Sequence, residues 1–305
     1  MRPAAVLTVL ALLLLVGCGG SGGGDKTVAD KEGDSTLEEI WRSPGDDVVI
    51  VAGTATHEPG SVRVSFLVVD AEGRVVTLPT AQVWVARKLD AVPFLRGEAK
   101  LERIGVPGGA EADATHLYVS RLRLDRPGTY WLLAQPEGGA TSVQALGNVI
   151  VGESPVPDVG EPAVASDTPT IASTGGDFSK LTTETPPDEA LLRHSVADSL
   201  RAKVPFVVTF ATPEYCSSRT CGPVVDVVAS VAERYEDENV RFIHVEVYED
   251  NDPAKGFNPW MQEWSLSTEP WTFLVGADGL IVDRFEGAVS VLELEEAIDS
   301  VLATG

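Results

Sequence analysis

The sequence predicts two folded regions in series: an all-β sandwich, then an α/β domain in which helices flank a central mixed sheet. Three observations carry that prediction. A chain of 305 residues has the length of about two domains, and a 44% hydrophobic content is enough for two cores. Between residues 47 and 152, apolar side chains recur at every second position, the period of half-buried strands. From residue 186 onward, stretches with helical spacing alternate with short apolar runs, as in folds where helices and strands follow one another.

Charge and cysteine usage narrow the partners. The chain carries 23 basic and 46 acidic side chains, a formal net charge of −23, so phosphate backbones and anionic lipid surfaces would repel it. Nucleic acid is therefore excluded as a partner. Three cysteines, Cys18, Cys216 and Cys221, are too few for a disulfide framework or a four-thiolate zinc site. The histidines at 57, 116, 194 and 244 show no ligand spacing, so neither a metal nor a cofactor is expected.

Residues 1–17 join Arg2 to an apolar run from Ala4 to Val16. That run is shorter than the roughly 20 residues needed to cross a hydrocarbon core, and it reads as a secretory signal peptide. Leu15-Val16-Gly17-Cys18 resembles the lipobox of bacterial lipoproteins. The resemblance implies that Cys18 is acylated and becomes the new N-terminus, so that the chain hangs from the cell membrane by lipid and faces the extracytoplasmic side. Residues 18–46 read as a flexible tether, glycine and serine only over 19–24, then acidic, with a short helical stretch around Leu37–Trp41. In an oxidising compartment, two cysteines five positions apart are either a structural disulfide or a redox pair.

Residues 47–152 read as seven or eight short strands. Val62, Val64, Phe66 and Val68 alternate, Ala71-Glu72-Gly73 forms a turn, and Val83 and Val85 share a face. Asp125 to Leu132, with Gly128 and Tyr130, is similar to the tyrosine corner of immunoglobulin-like domains, which implies a two-sheet sandwich of that architecture. His57 and His116 read as surface or satisfied core groups, and no catalytic constellation appears. Residues 153–185, rich in Pro, Ser, Thr, Asp and Gly, form a linker. Residues 186–305 then give a helix over 187–202, strands over 206–210 and 240–247, and a helix over 224–235. A strand over 271–275, a turn at Ala277-Asp278-Gly279, a strand over 280–285 and a helix over 291–302 complete the chain.

The second region resembles the thioredoxin superfamily in four spaced features. They are the strand and loop from Phe206 to Cys216, the helix beginning Gly222-Pro223-Val224, the segment Thr268-Glu269-Pro270-Trp271, and the terminal hairpin through Asp278-Gly279 and Arg284-Phe285-Glu286-Gly287. The resemblance implies a thioredoxin-like α/β domain and thiol–disulfide exchange with exported proteins and a further redox partner. Cys216 would attack and Cys221 would resolve, cycling through a Cys216–Cys221 disulfide, while a cis Pro270 and the backbone of Glu269 would face the sulfurs and an extended substrate. Tyr215 and Trp271, with Phe257, Trp260 and Trp264, would offer an aromatic rim for docking, although Trp264 reads more simply as packing. The rival reading is a non-enzymatic binding lipoprotein whose cysteine pair is a permanent staple.

Two departures from the family pattern carry physical consequences. The family places its cysteines three apart, whereas Cys216-Ser217-Ser218-Arg219-Thr220-Cys221 places them five apart. Helical Cα atoms at that spacing stand about 8.6 Å apart, and a disulfide requires less than about 7 Å. Either residues 217–220 form a loop before the helix begins or the two sulfurs never pair; Thr220 as N-cap and Gly222-Pro223 in the first turn favour the loop, and Arg219 beside the pair would favour thiolate. Thr209 stands where many relatives bury an aspartate, leaving Glu214 and Glu269 as the nearby acids.

Overall fold

The alternating half of the chain forms strands, but they join into one closed layer. The computed structural model describes residues 35–303 apart from 47, 112, 140, 141, 217 and 218. Residues 1–17, Cys18 and the first part of the tether lie outside the described residues. The strands are β1 (Val48–Ala52), β2 (Gly60–Asp70), β3 (Thr80–Ala86), β4 (Leu95–Arg103), β5 (His116–Leu124), β6 (Gly128–Glu137) and β7 (Ala145–Val151). They close as a barrel in the order β1-β2-β5-β4-β3-β6-β7. The expected immunoglobulin-like sandwich is thus corrected: β1 pairs with β2 on one side and meets β7 on the other, in parallel, at Val49↔Leu146, so the two sheets have no separate edges. The closure depends on a small residue, since a Cβ on Gly147 would come within 2.9 Å of Ile50.

Inside the barrel, Val62, Val64, Phe66 and Val68 of β2 meet Val83, Val85, Tyr118 and Leu132. Phe66 and Tyr118 stack with ring centroids 5.6 Å apart. The hydroxyl of Tyr130 donates to the carbonyl of Arg126 at 2.6 Å, the corner contact anticipated from the sequence. A short helix, α1 (Leu37–Trp41), starts in a capping box between Thr36 and Glu39 and buries Leu37 against Trp84 and Leu133 on the outside of the barrel.

The second half carries a four-stranded sheet of β8 (Phe206–Phe210), β9 (Arg241–Val245), β10 (Trp271–Val275) and β11 (Ile281–Glu286), ordered β11-β10-β8-β9, with β8 and β9 parallel and the other pairs antiparallel. Helices α2 (Val196–Ala202), α3 (Cys221–Arg234), α4 (Pro259–Glu263) and α5 (Val291–Leu302) accompany it. One face is covered by α3 and α5, whose Val224, Val228, Leu294 and Ile298 pack on Val207, Phe242 and Leu274. The opposite face is closed mainly by Phe210, Trp264, Trp271 and Phe273, with only the seven residues of α2 and the five of α4 as helix. The expected thioredoxin-like class, a sheet flanked by helices on both faces, is therefore corrected: the described chain is mainly β, a closed barrel joined to a small sheet with a helical layer on one side.

The reason lies in residues 153–185. Proline cannot donate in a helix, but extended backbone can pair with a sheet edge. Pro162 bridges Leu280, Ala163 donates to Gly279, and Ile281 donates to Glu161, each N–H bond at 2.9 Å, so this segment takes space a helix would fill. It is pinned further by Trp264, whose indole donates to Ser166 at 3.1 Å.

A polar seam joins barrel to sheet. Buried Arg63 of β2 forks onto both oxygens of Glu293 at 2.7 and 2.9 Å and reaches the Ala288 carbonyl at 2.9 Å. Glu286 accepts the backbone N–H groups of Ala55 and Thr56 at 2.9 and 2.6 Å. Arg284 meets Glu58 and Asp158, each at 3.1 Å, and Arg121 meets Asp283 at 2.6 Å.

Candidate functional site

The fully buried strand β8 delivers the chain to the loop carrying Cys216. The Cys216 carbonyl accepts the Arg219 N–H at 3.3 Å, closing a turn in which Arg219 adopts φ 51°. The helix then begins at Cys221, with Val224 donating to the Thr220 carbonyl at 3.0 Å. Thr220 occupies the N-cap position but makes no side-chain cap bond. The sulfur of Cys216 instead accepts the Cys221 N–H at 3.3 Å. Of the expected loop, residues 217 and 218 lie outside the described residues. The Cys216 sulfur sits at a helix N-terminus, where unsatisfied N–H groups and the helix dipole favour thiolate.

The two cysteines are thiols in contact. Half-buried Cys216 receives a hydrogen bond from the thiol of fully buried Cys221. That bond, then burial, pushes the Cys221 pKa far up, while the Thr212 backbone works in the opposite direction. The pair is therefore asymmetric: one sulfur is partly exposed and accepts an N–H at the helix start, and the other is enclosed with its thiol pKa pushed up.

Around the pair, the Glu269–Pro270 peptide is cis, as the resemblance implied, and Pro270 itself is buried. The Glu269 carboxyl is raised, first by burial and then by the charge on Cys216. Tyr248 is raised by burial and next by the charges of Glu269 and the two cysteines. Tyr215, 39% exposed, lies edge-on to Tyr248 at 6.5 Å, and Tyr248 stacks on Phe257 at 5.8 Å, so these three form an aromatic row beside the loop. Trp271 is corrected as a substrate contact: it is 1% exposed, stacks on Phe273, and its indole donates to Thr268 at 3.0 Å. Trp264 is likewise core, tilted against Phe210 and Phe273.

Arg219 turns toward Asp113 of the barrel at 3.9 Å, with both side chains about two-thirds exposed. Glu214 is exposed, its N–H donating to Thr183. Thr209 is buried and shares a hydrogen bond with Thr272 at 3.1 Å. His244 is its register partner on β9, with Nε2 3.0 Å from the Ala211 carbonyl and Nδ1 buried without a partner. A row of Thr272, Thr209 and His244 therefore stands where an acid was sought. The carboxyl of half-buried Glu184 is raised by desolvation and drawn back by His244. Sequence reading missed Tyr248 and His244. The signal for Tyr248 was its place directly after the apolar run 240–247; His244, inside that run, gave none.

No protein-family model matches the chain, and no curated protein matches it. Among solved structures, the chain is similar to a thiol:disulfide interchange protein of the thioredoxin family from Chlorobium tepidum TLS, with a TM-score of 0.29 and 13% identity over 50% of this chain and 99% of that one. It is also similar to the PKD domain of the human VPS10 domain-containing receptor SorCS2, with a TM-score of 0.17 and 22% identity over 45% of this chain and 96% of that one. Both likenesses are weak.

Proposed function

We propose that the protein is a thiol–disulfide oxidoreductase held outside the cytoplasm by a lipid on Cys18 and acting on exported proteins. The observation that carries this reading is the geometry of the pair: Cys216 reachable and accepting an N–H at the start of α3, with the buried Cys221 thiol hydrogen bonded to it. The Cys216 thiolate attacks one sulfur of a substrate disulfide, forming a mixed disulfide and releasing the other sulfur as a thiolate that takes a proton from water. Cys221 then attacks the Cys216 sulfur, and its proton passes to the substrate sulfur that this step releases. The Cys216–Cys221 disulfide forms, the substrate leaves as a dithiol carrying two electrons, and an external dithiol resets the pair. Glu269, Pro270 and Tyr215 border the path by which an extended substrate reaches Cys216.

The test is the reduction potential of the pair, measured by alkylation and mass shift in graded redox buffers. A value above about −250 mV, with Cys216 alkylated first, is expected of a working exchange pair, whereas a value below about −300 mV marks a structural disulfide and overturns the reading. For the anchor, Cys18→Ser should move the protein from the membrane fraction to the soluble one.

A further inference from the structure

A cleft of about 480 Å³ opens between the cysteine loop and the barrel. Leu67, Ile104 and Leu117 form its barrel wall; Thr220, Glu269 and Pro270 form the wall beside the cysteines. The walls are tied together at Gly287, φ +74°, where a Cβ would lie 2.5 Å from the Gly53 carbonyl oxygen. Three carboxylates, Asp113, Glu269 and Glu286, line the cleft and no basic side chain does. Glu286 is occupied by the backbone of Ala55 and Thr56 and by the Thr268 hydroxyl. Asp113, on the rim, is met by Arg219 at 3.9 Å. A ligand entering the cleft therefore meets an apolar wall and the acid Glu269.

We propose that this cleft seats the stretch of an exported substrate next to its reacting cysteine, and that it selects an apolar side chain adjoining a lysine or arginine. The inference rests on Cys216 acting as the nucleophile in disulfide exchange. The cleft is continuous with the pair through Thr220 and Glu269, so a chain bonded to Cys216 passes directly into it. An apolar side chain removes water from Leu67, Ile104 and Leu117. A neighbouring cation meets Glu269, whose charge is disfavoured both by burial and by the Cys216 thiolate, and so offsets two costs at once. The surrounding field acts in the same direction, since residues 177–305 hold 9 basic and 24 acidic side chains, a net charge of −15.

The test uses the mature chain with Cys221→Ser, which halts at the mixed disulfide. Two peptides of equal length, each with its cysteine activated as a thionitrobenzoate disulfide, carry Leu-Lys or Ser-Glu beside that cysteine. The small reagent dithiobis(nitrobenzoate) serves as the reference. The Leu-Lys peptide is expected to react about tenfold faster than the Ser-Glu peptide, a factor that burial of one leucine supports. Ala114→Trp, which narrows the cleft, and separately Asp113→Lys on its exposed rim, should each cut that ratio to about threefold or less. Equal peptide rates with a reactive Cys216 overturn this inference alone. A Cys216 inert even to the small reagent overturns the exchange reading and this inference with it. A concentration-dependent doubling of mass, abolished by Ala114→Trp, would put a second copy in the cleft and overturn the inference too.

Discussion

Two clefts open along the seam between barrel and sheet; both are lined by Thr54 and Glu286, yet their chemistry is opposite. The first, about 370 Å³, is lined by His57, Glu58, Arg63, Arg121, Asp283 and Arg284, and its three arginines each meet an acid across the seam. The second has apolar walls, acids and no base. The difference separates two jobs within one boundary. Matched, buried charges fix the sheet against the barrel, whereas in the second cleft Asp113 is paired with Arg219 at 3.9 Å and Glu269 meets no basic side chain among the described lining residues. Substitutions in the first cleft should change stability and leave chemistry alone, and substitutions by the second should do the reverse.

The largest effect expected is at the sulfur. Cys216→Ser removes the thiolate nucleophile and should slow reduction of a disulfide-bonded peptide by more than about a thousandfold. The urea midpoint of the same variant should correspond to a change within about 1 kcal/mol, because Cys216 is only half-buried. Exchange persisting in this variant would mean that the reactive side of the seam has been misassigned. Across the boundary, Arg63→Met leaves Glu293 buried with no cation and the Ala288 carbonyl without its donor. That should cost about 3–5 kcal/mol in urea unfolding while the exchange rate of the folded fraction is retained. A loss under about 1 kcal/mol would show that the matched cleft does not hold the two parts together.

Much of this arrangement was legible before the structure, and the illegible remainder has a common cause. The start of α3 was readable because Thr220, Gly222 and Pro223 constrain φ and supply or lack donors locally. The short helix Leu37–Trp41 and the Tyr130 corner were local too. The barrel closure was not, because it turns on parallel pairs such as Val49↔Leu146 and Asp46↔Val143, formed between residues about a hundred positions apart. Trp271 looked like an aromatic rim residue because composition does not reveal which face of β10 turns inward. The acid-lined cleft was hidden for the same reason: Asp113 and Leu117 come from the barrel and Glu269 from the far end of the chain, and no spacing in the sequence relates them.

The matched cleft should also carry a pH signature that the open one lacks. His57 is 5% exposed and its pKa is lowered to about 4, first by desolvation, with Arg284 and Arg63 reinforcing the shift and Glu286 and the Thr54 backbone opposing it. Between about pH 6.5 and pH 4 the unfolded chain binds a proton at this position that the native chain does not. The stability contributed by neutral, buried His57 is therefore complete above about pH 6.5 and declines as pH falls, by about 3 kcal/mol in all once pH is below about 4. Urea midpoints of the wild type and His57→Gln, compared at half-unit steps from pH 4 to 7, should show the wild type losing that extra stability across the window. Parallel curves would mean that His57 titrates normally and that the seam is wetter than its burial implies.

The smallest effect expected is at Glu269, and it sharpens the comparison most directly because the residue lines the open cleft and faces the sulfur. The charge on Cys216 raises the Glu269 carboxyl, and the interaction is mutual: an ionised Glu269 disfavours the Cys216 thiolate by the same amount. Glu269→Gln keeps the size of the side chain and removes the charge. In a Cys221→Ser background with one reporting thiol, alkylation of Cys216 by neutral iodoacetamide at pH 7 should accelerate about two- to fivefold, a modest factor because a half-buried pair is partly screened by water. Reaction with the Leu-Lys peptide should not share that gain, since the lysine loses the carboxylate it meets. An unchanged alkylation rate would place Glu269 beyond electrostatic reach of the sulfur.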